Sequence, residues 1–183
     1  MDNGESSYRR FLSGDDLGLV EIIRDHKDGL IFFLNGFTRD ILAAEELCED
    51  TFVKLAVNKP RFDGRSSFKT FLYTIARNAA LDWKRTNRQH IPIDEMGELD
   101  SGKRSLEEEY LREEQKIALH RAMEKLKPDY QQVLWLTYFE ELSNKETADV
   151  MKKSVHGIET LVYRARNALK KQLEKEGFTY ENI

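Results

Sequence analysis

The sequence predicts an all-α protein of two small helical domains joined by a flexible linker, the C-terminal domain a helix-turn-helix. Three observations carry that expectation. Apolar residues recur at helical spacing, most clearly over Phe68–Arg88, where Phe68, Phe71, Leu72, Ile75, Ala76, Ala79 and Trp83 share one face. Three Pro and ten Gly in 183 residues leave room for long helices. The periodicity then lapses at Ile91–Ser105, IPIDEMGELDSGKRS, where turn residues separate the two halves. The expected domains are residues 8–90 and 105–175, with 91–104 as linker.

Composition narrows the function. A hydrophobic fraction of 40% with 34% charged residues suits soluble helical modules, and no apolar run approaches the ~20 residues of a membrane span. The start, MDNGESSYRR, lacks an apolar signal-peptide core, so membrane insertion is not expected. A single cysteine, Cys48, excludes an internal disulfide and a multi-thiolate zinc site and points to a reducing cytoplasm. Cys48 also falls on a predicted apolar face, which suits packing better than nucleophilic chemistry. His26, His90, His120 and His156 are scattered without metal-ligand spacing, and no Walker loop or dinucleotide fingerprint is present. No catalytic residue, metal or cofactor is expected. The formal net charge of -4 and a pI near 5.7 argue against a non-specific DNA coater but allow a locally basic face.

In chain order, Ser13 with Asp16 marks a helix start, after which Leu17, Val20 and Ile23 recur at helical spacing. Gly29 and Gly36 bracket the apolar segment LIFFLN, which reads as core. Asp40–Asn58 reads as a long helix with Ile41, Leu42, Ala44, Leu47, Cys48, Phe52 and Leu55 on its apolar face. Its remaining surface is acidic, with no Lys or Arg from residue 40 to 53. Lys59-Pro60 ends it, and RFDGRSS, with Gly64 permitting a tight turn, leads into the central helix.

The central helix carries Tyr73, Arg77, Lys84 and Arg88 opposite its apolar face. Seven Lys/Arg against two Asp between Arg61 and Arg88 make it locally basic. On charge alone this fits a solvated amphipathic helix; the interleaved aromatics, Asn and Ser point to nucleic acid, where cations meet phosphate and rings stack on bases. Beyond the linker, Ser105-Leu-Glu-Glu108 has capping-box spacing and opens a helix to about Leu126. Asp129 begins another, with Val133, Leu134, Leu136 and Phe139 toward a core. Ser143-Asn-Lys-Glu146 is a second capping box, Lys152-Lys153 a turn, and Ser154 the cap of a last helix to about Glu174. There Ile158, Leu161, Val162, Ala165 and Leu169 face inward, with His156, Thr160, Tyr163, Asn167 and Lys170 opposite. Two helices joined by a tight turn make a helix-turn-helix pattern, which a helical hairpin for protein contact would share.

The segments AEELCEDTFVKL, SSFKTFLYTIARNAALDWKR and LSNKETADVMKKSVHGIETLVYRARNAL, in this order and spacing, resemble bacterial sigma factors of the sigma-70 family, most of all the short extracytoplasmic-function (ECF) group. The resemblance spans about residues 8–90 and 105–175. It implies a factor that binds core RNA polymerase and directs promoter-specific transcription initiation. A stand-alone helix-turn-helix regulator, or a protein-interaction module, is the alternative.

By resemblance, Glu45, Glu46, Glu49, Asp50, Phe52 and Val53 dock on the β′ clamp helices, and the C-terminal domain meets the β flap. The loop before the central helix forms a pocket for a base flipped from the melted minus-ten element. The minus-ten set is then Arg65, Ser66, Ser67, Lys69, Thr70, Tyr73, Thr74, Arg77, Asn78, Lys84, Arg85 and Arg88, with Asn78 at the family's Ala-Arg-Asn position near that loop. The minus-thirty-five set is Ser154, His156, Gly157, Glu159, Thr160, Tyr163, Arg164 and Arg166. Lys152 and Lys153 depart from the family's usual Gly-apolar turn, and Glu159 and Leu161 stand where basic residues are common. An anti-sigma factor is the family's usual control and the expected further partner.

Overall fold

The protein is described by a computed structural model covering residues 4–87, 116–175 and 177. Arg88, the expected linker 91–104 and the Ser105 capping box lie outside them. Helices α1 (Glu5–Leu12), α2 (Leu17–Thr38), α3 (Ile41–Asn58) and α4 (Phe68–Thr86) form the first half. The second half contains α5 (residues 116–124), α6 (Pro128–Leu134), α7 (Asn144–Met151) and α8 (Val155–Lys175). Helix α6 runs into a π-helical turn at Trp135–Phe139, closed by the Glu140 N–H donating to the Trp135 carbonyl at 3.1 Å. No strand occurs among the described residues, so the all-α expectation holds.

The N-terminal region departs from expectation. Ser13 ends a helix instead of starting one: its hydroxyl donates to the carbonyls of Arg9 and Arg10, both at 2.9 Å, and closes α1. Helix α2 begins four residues later and runs unbroken through Gly29 and Gly36. Its buried side carries Ile22, Leu30, Phe33, Leu34 and Phe37, whereas Leu17 and Val20 are 63% and 58% exposed. The spacing of those two residues was genuinely helical, but the neighbouring helices cover the other face.

Later boundaries follow local chemistry. Asp40 caps α3 by accepting from the N–H groups of Leu42 and Ala43. Helix α3 buries Ala44, Leu47, Cys48, Phe52 and Leu55 as expected, but Leu42 is exposed. Ser67 caps α4 by accepting from Thr70 N–H at 3.2 Å. The Ser143–Glu146 capping box is present in both directions. Ser154 accepts from Gly157 N–H at 3.0 Å.

The two halves share a continuous apolar core running from Tyr8, Phe33 and Phe68 to Val133, Leu136 and Ile158. At the seam Phe32 of α2 stacks on Trp135 and on His120, with ring centroids 5.0 and 4.9 Å apart. Helices α2 and α4 therefore each bury one face within the first half and a second face under α6 and α7.

Candidate nucleic-acid interface

The loop between α3 and α4 is held from several sides. The Tyr8 hydroxyl donates to the Pro60 carbonyl at 2.7 Å, and the Lys59 ammonium sits 4.8 Å from the Phe11 ring centroid. Phe62 packs edge-on against Phe68 and tilted against Phe71. Asp63 accepts from Arg65 N–H at 3.2 Å, and Gly64 takes φ 71°, a left-handed turn that costs other residues about 1–2 kcal/mol. These contacts fix Arg65, Ser66 and Ser67 at the start of α4. Their anchors, Tyr8, Phe11 and Phe62, were missed in the sequence because the pairing is across loops and no helical period reports it.

Along α4 the twelve minus-ten candidates separate into three groups. Arg65, Asn78, Lys84 and Arg85 are exposed. Ser67, Lys69, Thr70, Tyr73 and Arg77 face the second half. Ser66 and Thr74 are half-buried, and Arg88 lies outside the described residues. The sequence put Tyr73 on an open face; it is 0% exposed, edge-on to Phe33 at 5.1 Å. Its hydroxyl pKa is raised well above the usual phenol value, first by burial and then by Glu140. Burial also lowers the Arg77 pKa, opposed by Asp129. Asn78 is not near the loop: it lies roughly 16 Å of helical rise beyond Ser67. It lines a separate open groove with Leu81, Asp82, Lys84 and Arg85.

Two carboxylates of the second half meet the α4 N-terminus. Glu146 Oε1 accepts from Ser67 Oγ at 2.7 Å and from Thr70 Oγ1 at 3.3 Å, while Oε2 serves the Ser143 cap. Burial pushes the Glu146 carboxyl up, but the hydrogen bonds from Ser143, Ser67 and Thr70 outweigh it and leave it below the ordinary glutamate value. Lys69 Nζ lies 3.1 Å from both Glu140 Oε2 and the Glu140 carbonyl.

The α8 surface is different. His156, Glu159, Tyr163, Arg164 and Arg166 are exposed, Gly157 and Thr160 are half-buried, and Ser154 is the exposed cap. Lys152 adopts the left-handed conformation at φ 55° that glycine would take freely. Lys153 reaches Asp129 of α6 at 3.2 Å, which ties the turn back to its own half. On α3, Glu45, Glu46, Glu49, Asp50 and Val53 are exposed, but Phe52 is buried at 6% exposure and serves the core.

Cys48 is buried, and its thiol is pushed up to about 12, chiefly by burial. Among the described residues no three His, Cys, Asp or Glu side chains are placed to hold a metal ion.

Comparison with known proteins accounts for both halves. Residues 22–90 match the sigma-70 region 2 family and residues 116–169 match sigma-70 region 4. The chain is 33% identical to the RNA polymerase sigma factor YlaC of Bacillus subtilis (strain 168), over 86% of this chain and 92% of that one. It is 30% identical to the ECF RNA polymerase sigma factor SigM of the same organism, over 82% and 91%. The fold is similar to that of the sigma factor RpoE from Bartonella quintana, solved with the anti-sigma factor NepR. That match has TM-score 0.67 and 20% identity over 90% of this chain and 98% of that one. A region 2 match beside the helix-turn-helix favours this family over a stand-alone regulator. The chain belongs to the sigma-70 family and is an ECF-type sigma factor, a promoter-specific initiation factor for RNA polymerase.

Proposed function

We propose that the two halves divide promoter recognition and that α3 holds the chain to core polymerase. One observation carries this reading: charge is segregated on the surface of an acidic chain. Helix α3 exposes Glu45, Glu46, Glu49 and Asp50 beside the apolar Leu42, Val53 and Val57. That mixture repels DNA phosphate and suits a basic protein surface with apolar contacts, as the β′ clamp helices offer. The outer edge of α4 instead exposes Arg65, Asn78, Lys84 and Arg85, a set suited to a minus-ten strand. Helix α8, with His156, Thr160, Tyr163, Arg164 and Arg166, reads the minus-thirty-five duplex as the second helix of a helix-turn-helix. Its domain also contacts the β flap. In this reading residues 8–90 and 105–175 are the two functional domains, with 91–104 as the connection.

The polymerisation chemistry belongs to the core enzyme, and this chain contributes recognition. It acts in the cytoplasm, consistent with the lack of any described helix long and apolar enough to cross a membrane. An anti-sigma factor that covers the polymerase- or DNA-facing surfaces is the expected control. Two modest DNA contacts carried on one polymerase complex gain from effective concentration, so an acidic chain suffices. The test is run-off transcription from the chain's own upstream region by core polymerase. A discrete transcript should appear only when the chain is added; identical products with and without it would refute the reading.

A further inference from the structure

We propose that Glu159 on α8 reads a cytosine in the minus-thirty-five duplex by accepting a hydrogen bond from the base's N4 amino group. This deepens, and rests on, the reading of α8 as the minus-thirty-five helix. Glu159 is the sole acid from Ser154 to Leu173, a stretch that also holds Arg164, Arg166, Lys170 and Lys171. By helical spacing it stands on the outward face between Val155 and Tyr163, which are 42% and 70% exposed. The residue before it, Ile158, is 0% exposed and holds the backbone against the core. The start of the helix is fixed as well: Ser154 Oγ accepts from Gly157 N–H at 3.0 Å, and Lys153 is tied to Asp129 at 3.2 Å. A helix-turn-helix presents residues near the start of its second helix to base edges. Lys and Arg are absent from Ser154 to Tyr163 but stand on either side, at Lys152 and from Arg164 onward. Phosphate-holding charge therefore flanks the carboxylate, which sits where bases are met.

The chemistry selects the base. An ionised carboxylate only accepts hydrogen bonds, and phosphate repels it, so on a DNA-facing surface it needs a donor in the groove. In the major groove guanine presents two acceptors, and thymine presents O4 and a methyl group. Adenine sets its N7 acceptor beside the N6 donor, whereas cytosine presents its N4 amino group alone. Glu159 thus favours cytosine and disfavours the other three by setting negative charge against their acceptors. His156, the charged neighbour on the same face, has its Nδ1 3.6 Å from Glu159 Oε2, too far for a hydrogen bond. That contact leaves the accepting capacity of the carboxylate for the DNA.

The test is run-off transcription by core polymerase carrying the full-length chain, on templates in which each base pair of the upstream element is replaced in turn by the other three. Glu159→Gln and Glu159→Ala change an exposed side chain, and matched circular dichroism checks that both fold. The wild type should prefer cytosine at one position by about tenfold. Glu159→Gln should move that preference toward adenine, because an amide bonds adenine N6 and N7 together. Glu159→Ala should lose the preference largely by using the other three bases better, since the repelling charge is gone. Preferences at the remaining positions should stay. An unchanged ranking in both variants, or a loss that is uniform over all templates, would overturn the role of Glu159 and leave the minus-thirty-five reading standing. A wild type indifferent to every upstream position would overturn both.

Discussion

Tyr73 on α4 and Tyr163 on α8 both lie in the N-terminal half of a candidate DNA-reading helix, yet one is 0% exposed and the other 70%. Both helices are amphipathic by sequence, and both place the tyrosine opposite the main apolar stripe. Helix α8 buries that stripe against α6 and α7 and leaves its other face open. Helix α4 buries its stripe against α2 and α3, and α7 then covers a second side that includes Thr70 and Tyr73. Periodicity reports the first burial of a helix and is blind to the second, because a covered polar face keeps its polar residues and pairs them.

The comparison is broken most sharply through stability. Tyr73→Ala empties a site fully enclosed against Phe33 and should cost about 3–5 kcal/mol in urea unfolding, as large aromatic truncations in cores do. Tyr163→Ala should stay within about 0.5 kcal/mol, as exposed substitutions do. Equal costs would mean that Tyr73 is not enclosed in solution.

A second contrast lies within α4, between its base-reading and phosphate-holding positions. An amide donates and accepts together and can discriminate a base edge, which a cation on phosphate mostly cannot. Asn78→Ala should lose preference at one minus-ten position by roughly 1–3 kcal/mol. Lys84→Ala should weaken all promoters alike and lower the salt slope by about 0.7–0.9. Open-complex formation on single-base variants over several salt concentrations decides. A uniform loss with Asn78→Ala would reduce that residue to local packing in the groove it shares with Leu81 and Lys84.

Helix α8 is sharpened by Thr160→Ala and Tyr163→Ala. Each should reduce transcription several-fold, roughly the factor of 1 kcal/mol, from promoters that depend on the upstream element. Where that element is already weakened, the loss should be smaller; equal losses on both templates would count against groove contact.

The smallest expected effect is in the acid range. Glu146 titrates below its ordinary value because the bonds from Ser143, Ser67 and Thr70 outweigh its burial. A depressed carboxyl contributes stability fully present above its unfolded pKa, about 4.3, and lost as pH falls through the lower folded value. The contact between the halves should therefore be level above about pH 5 and weaken below about pH 4. Tryptophan emission, with Trp135 stacked on Phe32 across the seam, follows it. Glu146→Gln should flatten the acid limb that Glu146 contributes; an unchanged profile would remove Glu146 from the linkage.

Local chemistry decided much of what was legible in the sequence. Ser143 and Ser154 cap helices where their types and spacing predicted, and Asp40 and Ser67 cap two more within the bounds expected for α3 and α4, since a cap needs only its own next few residues. The apolar faces of α3 and α8 and the burial of Cys48 were readable for the same reason. Ser13 misled because its hydroxyl serves a helix end as readily as a start, and the residues around it do not say which. Leu17, Val20 and Leu42 misled because periodicity names an apolar stripe without naming the neighbour that covers it.

The sequence by itself determined the all-α class, the caps at Ser143 and Ser154 and the family. Only the tertiary structure decided which polar faces are open. It placed Asn78 away from the loop, gave Phe52 to the core and set Glu146 to close two helix starts at once. The physical reason is range: hydrogen bonds across a cap join residues within one turn, whereas Ser67 to Glu146 and Lys69 to Glu140 join groups far apart in the chain. Such pairs exist only once apolar burial has brought α7 onto α4.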